Sequence, residues 1–460
     1  MKNVFSSIAV LFLLFESYGY SQGIWTQQTL PVTSDITSIY AVDNNTCWAC
    51  GYYGTLGIAT VLRTTNGGAN WTLNNGGLPG NKDFFSIFAF NQSICWIGTD
   101  EGTIFRTTNG GVNWTQVSLP LPVTTYINGI YFFNSQYGFV LGDPNPTGDW
   151  RYYITTNGGT NWAFFPTIPS GGVGETGWHN SFCAIDTAHI WFGTNNTKIY
   201  RGSFRGAYNW SSIPGTQNIF GVSFFNQATG LAIDQNGLMK STNGGVNWFN
   251  NFFNPAGGGS GIKVFNVNNE IGFICTNNPV SSNGKIYRTT NGGSNWNEQL
   301  TNLAIGKSFT CISMTSVNNG WAGTGGTTLD VRDRKTKIAN RNILTNGGVY
   351  KYTDNVISIN KNNSEIPKNF ILEQNYPNPF NSSTKIKFQI PADSPARTGK
   401  KVILIIYDIT GREVYSIINK SLQPGTYEIY FDASNLSGGV YFYKLSADEN
   451  SQTRVMVFSK

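Results

Sequence analysis

Thr107-Thr108-Asn109-Gly110-Gly111-Val112-Asn113-Trp114 decides how this chain is read, because it recurs. The same Thr-Thr-Asn-Gly-Gly-x-Asn-Trp string stands at 64–71, 155–162 and 289–296, and Ser-Thr-Asn-Gly-Gly-Val-Asn-Trp stands at 241–248. Ser203 to Trp210 is a worn copy that keeps only the final Asn209-Trp210. Asn followed by two glycines is a hairpin signal, since these residues tolerate positive φ. Neighbouring Thr and Asn side chains can hydrogen-bond the turn's own backbone, and a Trp at its end offers a large apolar face to cover the hairpin.

Ahead of the turns lies a second shared element, an aromatic strand ending in small residues. It reads Cys47-Trp48-Ala49-Cys50-Gly51, Cys95-Trp96-Ile97-Gly98-Thr99, Ile190-Trp191-Phe192-Gly193-Thr194 and Gly320-Trp321-Ala322-Gly323-Thr324. Trp71, Trp114, Trp162, Trp210, Trp248 and Trp296 follow one another at intervals of 43, 48, 48, 38 and 48 residues. Each interval accommodates four short strands, the size of one propeller blade. In the first repeat these are expected at 39–42, 47–51, 61–65 and 71–73.

A seventh repeat starts at Phe309, passes Trp321 and stops after Thr353 without a final Asn-Trp. The missing strand stands at the other end: Ile24-Trp25-Thr26-Gln27-Gln28-Thr29-Leu30-Pro31 matches Asn113 to Pro120, and Trp25 lies 46 residues before Trp71. The expectation is an all-β chain whose residues 22–354 form a seven-bladed β-propeller closed by its N-terminal strand. Closure has a physical motive, because an open array would expose an unpaired strand edge. Trp25, Asn66, Asn109, Asn157, Asn243, Asn291 and the six spaced tryptophans are then scaffold residues.

Composition agrees. Of 460 residues only 12% are charged, while 53 are Gly and 14% are aromatic, which excludes helical bundles and disorder. The net charge of +6 is spread out, so no nucleic-acid partner is expected; the one basic run, Arg332 to Arg341, lies in an insertion from Thr327 to Asn346. Residues 1–21 read as a signal peptide: Lys2, an apolar stretch from Val4 to Phe15, and small Gly19 and Ser21 before a cut at Gln22. No later run reaches 18 apolar residues, so no transmembrane segment is expected.

The repeated turn resembles the Asp-box of bacterial-neuraminidase-type repeats, with Asn replacing Asp in every clear copy. Together with the Gly-Trp-Ala-Gly-like strand, it is similar to the photosystem II assembly and stability factor propellers over residues 23–354. The resemblance implies that the box is structural and lies on the rim away from the usual ligand face. Sialidases need three clustered arginines for a substrate carboxylate. Here Arg63, Arg106, Arg201 and Arg288 occupy one repeat-equivalent position, which reads as scaffold.

In propellers, function sits on the loops joining second to third strands and fourth to next first strands. Those loops carry Tyr52, Tyr53, Asp83, Asp100, Glu101, Asp143, Trp150, Glu175, Trp178, His179 and Asp234. Exposed Tyr52, Tyr53, Trp150, Trp178 and His179 beside Asp100 would suit sugar binding, by stacking and by accepted hydroxyl hydrogen bonds. Asp100, Asp143, Glu175 and Asp234 are the acids available to a glycoside hydrolase, which needs two at set spacing. Two-propeller xyloglucanases place such a pair in a cleft between rings, and one ring has no such cleft. With His179 and His189 the only histidines and no ligand spacing, neither metal nor cofactor is expected. Cys47 and Cys50 point to opposite faces of a strand, so the six cysteines are expected mostly as free, buried thiols.

Residues 355–367 lose the repeat and are expected to be a linker; 368–460 alternate as a small antiparallel sandwich. Asn375-Tyr376-Pro377-Asn378-Pro379-Phe380-Asn381, Tyr407-Asp408-Ile409-Thr410-Gly411-Arg412 and Ser437-Gly438-Gly439-Val440-Tyr441 closely resemble the type A C-terminal sorting domain of type IX secretion. That resemblance implies a Bacteroidetes-type host, passage through the outer membrane, and partnership with the secretion machinery and its sortase-like protease. The functional expectation is a secreted or cell-surface binding module with a polysaccharide or envelope-protein ligand. Its rivals are a glycan-degrading hydrolase and a complex-assembly factor.

Overall fold

The computed structural model describes the chain except residues 1–23, 53–57, 122–125, 167, 172–173, 207, 213–217, 235, 251–252, 254–258, 265–270, 277–282, 302, 304–305, 317, 327–346, 354–355, 362–366, 382, 393–399, 434–435, 437 and 460. The segment expected to be a signal peptide, Tyr53 and the basic insertion therefore lie outside the described residues. The described chain is all-β, no helix in it is long and apolar enough to cross a membrane, and it divides into residues 23–353 and residues 354–460.

In the first unit seven sheets follow one another among the described residues, the first six antiparallel with their four strands in chain order. The first contains Ile36–Ala41, Cys47–Gly51, Val61–Thr64 and Thr72–Leu73. The first strands, Ile36–Ala41, Phe84–Ala89, Ile127–Phe132, Gly177–Asp186, Ile219–Phe224, Gly259–Val264 and Lys307–Ser316, each touch the next, and the last touches the first. Among the described residues no sheet closes upon itself. Phe84–Ala89 and Ile219–Phe224 are buried along their whole length because a sheet packs on either side, so they show no in-out alternation.

The seventh sheet recruits the start of the chain. Ile24–Gln27 pairs antiparallel with Gly348–Thr353, Trp25 opposite Tyr352, and on its other edge pairs parallel with Leu300–Thr301. Trp25 is fully buried, 5.0 Å from the Tyr352 ring and 6.4 Å from Phe273.

The five clear turns share one geometry. At 107–114, the Thr107 hydroxyl donates to Asn109 Oδ1 at 3.0 Å and accepts the Gly111 N–H, while Asn109 Oδ1 also accepts the Asn113 N–H. Gly110 and Gly111 take φ of 73° and 81°, where a Cβ would be strained. Only an acceptor oxygen is required, so Asn serves where an Asp would. Trp114 does more than cover its own hairpin: it meets Trp48 of the preceding sheet edge-on at 6.1 Å. Trp210 stands in the outer strand Asn209–Ser212 despite its worn turn.

The second unit holds two four-stranded sheets. One strand, Val356–Lys361, lies inside the segment expected to be a linker; it pairs with Gly425–Asp432, and its Val-Ile-Ser-Ile alternation is the signal the Asn-rich surroundings mask.

Candidate functional site

Each first strand begins with a β-bulge, for example between Phe84 and Ser86, Ile127 and Gly129, and Ile219 and Gly221. A bulge re-aims side chains, and here it turns them toward one another. The fourth sheet has the largest: pairing jumps from Gly177↔Thr194 to Phe182↔Phe192, releasing Trp178, His179 and Asn180. Asn180 takes φ of 61°, its Nδ2 donates to Thr37 O at 2.9 Å, and its Oδ1 accepts from Ser38 Oγ at 2.7 Å. This tie joins the first strands of the fourth and first sheets. Its only sequence signal is that Asn tolerates the left-handed region.

Around it the bulged residues form an aromatic cluster. Phe85 meets Tyr52 at 5.5 Å, Tyr126 at 4.9 Å and His179 at 5.1 Å, and Trp178 meets Phe220 at 5.2 Å. Sequence reasoning expected exposed stacking surfaces at Tyr52, Trp150 and Trp178, and the structure corrects this. They are 9%, 2% and 6% exposed, Trp150 being held between Phe192 and Tyr200. Each of these rings is covered by a ring of the following sheet, Phe85, Phe192 or Phe220, a contact the sequence does not announce. His179 remains half-buried.

The four candidate acids have separate structural engagements. Asp143 accepts from Asn128 Nδ2 at 2.7 Å and the Gly177 N–H at 3.0 Å. Asp234 holds a turn through the N–H groups of Asn236 and Gly237. Glu175 is buried and ion-paired with Lys198 at 2.7 Å. Asp100 is half-buried; burial, then the nearby Asp83 and Glu101 carboxylates, push its carboxyl up to about 6. Glu101 itself is ion-paired with Lys82. Among the described residues no group of His, Cys, Asp and Glu converges as a metal site would.

All six cysteines are free thiols, five of them buried. Cys50 pairs with Ser38, and Cys275 with Gly261, at the position where Gly98 and Gly323 stand in other sheets. Burial pushes the Cys311 thiol up to about 12 and holds Cys47 and Cys95 far above the usual range, so these are packing groups rather than nucleophiles.

In the second unit the motif residues act as a clasp. Asn375 donates its N–H to Tyr443 Oη at 2.7 Å and its Nδ2 to Thr384 Oγ1 and Pro377 O. Tyr376-Pro377 and Asn378-Pro379 are cis; Asn378 Oδ1 accepts the Val457 N–H, and Phe380 stacks on Phe458 at 5.3 Å. Asn381 follows on the surface, and Tyr376 is 78% exposed. Gly411, at φ of 80°, completes a turn organised by Asp408; Gly438 and Gly439 are exposed at the start of the final hairpin.

Comparison with known proteins follows this division. A family described as a secretion system C-terminal sorting domain matches residues 374–459. The chain is thereby one exported by type IX secretion to the cell surface or extracellular space, in engagement with that machinery. Among solved structures it is similar to YCF48 bound to a D1 peptide, at 16% identity and a TM-score of 0.53, over 73% of this chain and 95% of that one. YCF48 from Cyanidioschyzon merolae gives 16% identity and a TM-score of 0.51, over 72% and 98%. These likenesses establish a propeller-like fold. A GH74 xyloglucanase from Xanthomonas campestris is similar at 10% identity and a TM-score of 0.49, over 94% and 75%. No curated protein sequence matches the chain significantly.

Proposed function

We propose that residues 22–354 are a seven-bladed propeller closed by its N-terminal strand, and that this propeller is an exported binding module. The pairing of Trp25 with Tyr352 and the contact between the first and last first-strands support the closure. The Asp-box-like turns are its scaffold, residues 1–21 its Sec signal, and residues 368–460 the address removed by a sortase-like protease in a Bacteroidetes-type host.

One observation favours binding over hydrolysis: Asp143, Asp234 and Glu175 are each held in a different structural bond. Asp100 keeps a perturbed carboxyl, but Asp83 and Glu101 beside it belong to its own sheet's edge. The ligand class is a glycan of the cell envelope or surroundings. Testing the mature protein against a polysaccharide panel should show saturable binding without release of reducing sugar. Sugar release that Asp100→Asn abolishes would establish the hydrolase instead. A complex-assembly role is the second reading, favoured by the shared fold with a protein solved bound to a peptide. It requires one stoichiometric envelope protein in pull-downs.

A further inference from the structure

The third strand of six sheets carries a cation opposite a second-strand residue. Arg63 faces Trp48, Arg106 faces Trp96, Arg201 faces Trp191, Lys240 faces Leu231, Arg288 faces Phe273 and Lys351 faces Trp321. Four of these donate a hydrogen bond to a neighbouring sheet. Arg63 Nη1 reaches Gln92 O at 2.6 Å, Lys240 Nζ reaches Gly292 O at 2.8 Å, Arg288 Nη1 reaches Tyr352 Oη at 3.0 Å, and Lys351 Nζ reaches Gly67 O at 2.5 Å. Repetition alone would make all six scaffold. The structure separates them.

Arg106 faces a groove of about 660 Å³ between the second and third sheets. Its guanidinium stacks 5.2 Å from the Trp96 ring, as that of Arg63 does on Trp48, and its buried Nε, like those of Arg63 and Arg201, has no hydrogen-bond partner among the described residues. What sets Arg106 apart from Arg63 is that, among the described residues, no neighbouring carbonyl takes its outer nitrogens. Across the groove the buried Nε1 of Trp162 has none either. One wall presents Thr115, Gln116 and Ser118, the other Thr160 and Asn161, and no carboxylate lines it.

We propose that this groove binds an oligosaccharide carrying a uronate carboxylate. A guanidinium flattened against an indole keeps its outer edge for a planar, two-oxygen anion, which it holds bidentately. Neutral hydroxyls and amides on both walls match sugar hydroxyls, which both donate and accept. The volume falls in the usual range for small-molecule sites, roughly 300–1,000 Å³; a bare inorganic anion would leave both walls untouched. Arg201 lines a second groove of about 450 Å³, but there Asp186 takes hydrogen bonds from two lining residues, His189 at 2.8 Å and Gln227 at 3.3 Å. That carboxylate repels an anion, so the Arg106 groove is selective.

The ligand choice rests on the glycan reading above, and the experiment separates the two. Isothermal titration of the full chain with trigalacturonate, at low salt, should give saturable binding that the neutral galactotriose does not. Arg106→Gln, with an unchanged melting temperature, should weaken it at least about tenfold, the loss expected for a charge-assisted pair. Arg201→Gln should change it less than about twofold, since no carboxylate is expected beside Asp186. Ser118→Trp, which adds bulk in the groove while Arg106 itself is kept, should abolish binding and covers the case of Arg106→Gln failing to fold. Absence of trigalacturonate binding, equal binding of the neutral sugar, undiminished binding by both groove variants, or equal affinity for a triglutamate peptide would each overturn the proposal. Binding of another glycan in the panel, with none of trigalacturonate, would overturn it while leaving the broader reading standing.

Discussion

Replacing Trp25 by Ala tests whether the start of the chain holds the end of the repeat unit. The side chain is fully buried against Tyr352 and Phe273. Burying a Trp removes about 200 Å² from water, worth about 5 kcal/mol at ~25 cal/mol/Å². Partial collapse of the cavity brings the expected loss to about 4 kcal/mol, within the range for large core truncations. Residues 23–353 unfold with an entropy of ~0.7 kcal/mol/K at ~2.1 cal/mol/K per residue, so the melting temperature should fall by about 6 °C. Deleting Ile24 to Gln28 should cost more, because the Gly348–Thr353 edge also loses its antiparallel partner. Differential scanning calorimetry of the mature chain reads both. A shift under 1 °C for either variant would refute the reasoning, since it would mean that the seventh sheet is complete without the N-terminal strand.

Three further outcomes are expected. Asp100→Asn should stabilise the protein at pH 7.5 and not at pH 4. A carboxyl raised to about 6 by burial binds its proton more tightly when folded, so stability falls as pH rises from about 4 to 6. Its half exposure screens the gain to about 1 kcal/mol, and an equal gain at both pH values in chemical denaturation would contradict the assignment. Asn109→Ala removes an acceptor shared by Thr107 and the Asn113 N–H and should cost about 1–2 kcal/mol by urea unfolding, whereas Asn109→Asp should be tolerated; equal losses would show that charge, not the acceptor, matters. Deleting residues 375–460 should leave the protein in the periplasm on cell fractionation, and delivery to the surface would refute the sorting role.

Much of this was legible because the turns are local. Thr107, Asn109 and the two glycines meet within one hairpin, so their spacing carries the whole geometry, and the same holds for the second strand Cys47–Gly51. Strand starts were less legible: the first strand begins at Ile36, three residues before the expected position, because its bulge hides the alternation. The Val356–Lys361 strand is not legible locally, since its partner lies some seventy residues downstream.

The candidate site fared worse for a related reason. Burial of Tyr52, Trp150 and Trp178 depends on rings from three other sheets, Phe85, Phe192 and Phe220, each more than thirty residues away in sequence. Likewise six equivalent cations look alike as a string, and only the distance to a neighbouring carbonyl tells Arg63 from Arg106. The repeat, the strand that returns from the N-terminus and the sorting module are written in the order of the residues, because hairpin and strand preferences act over a few positions. Which side chains face solvent, and which of the repeated cations bond a neighbouring sheet, emerges only when the sheets pack. Those properties belong to the seams between sheets, where residues some forty positions apart come into contact.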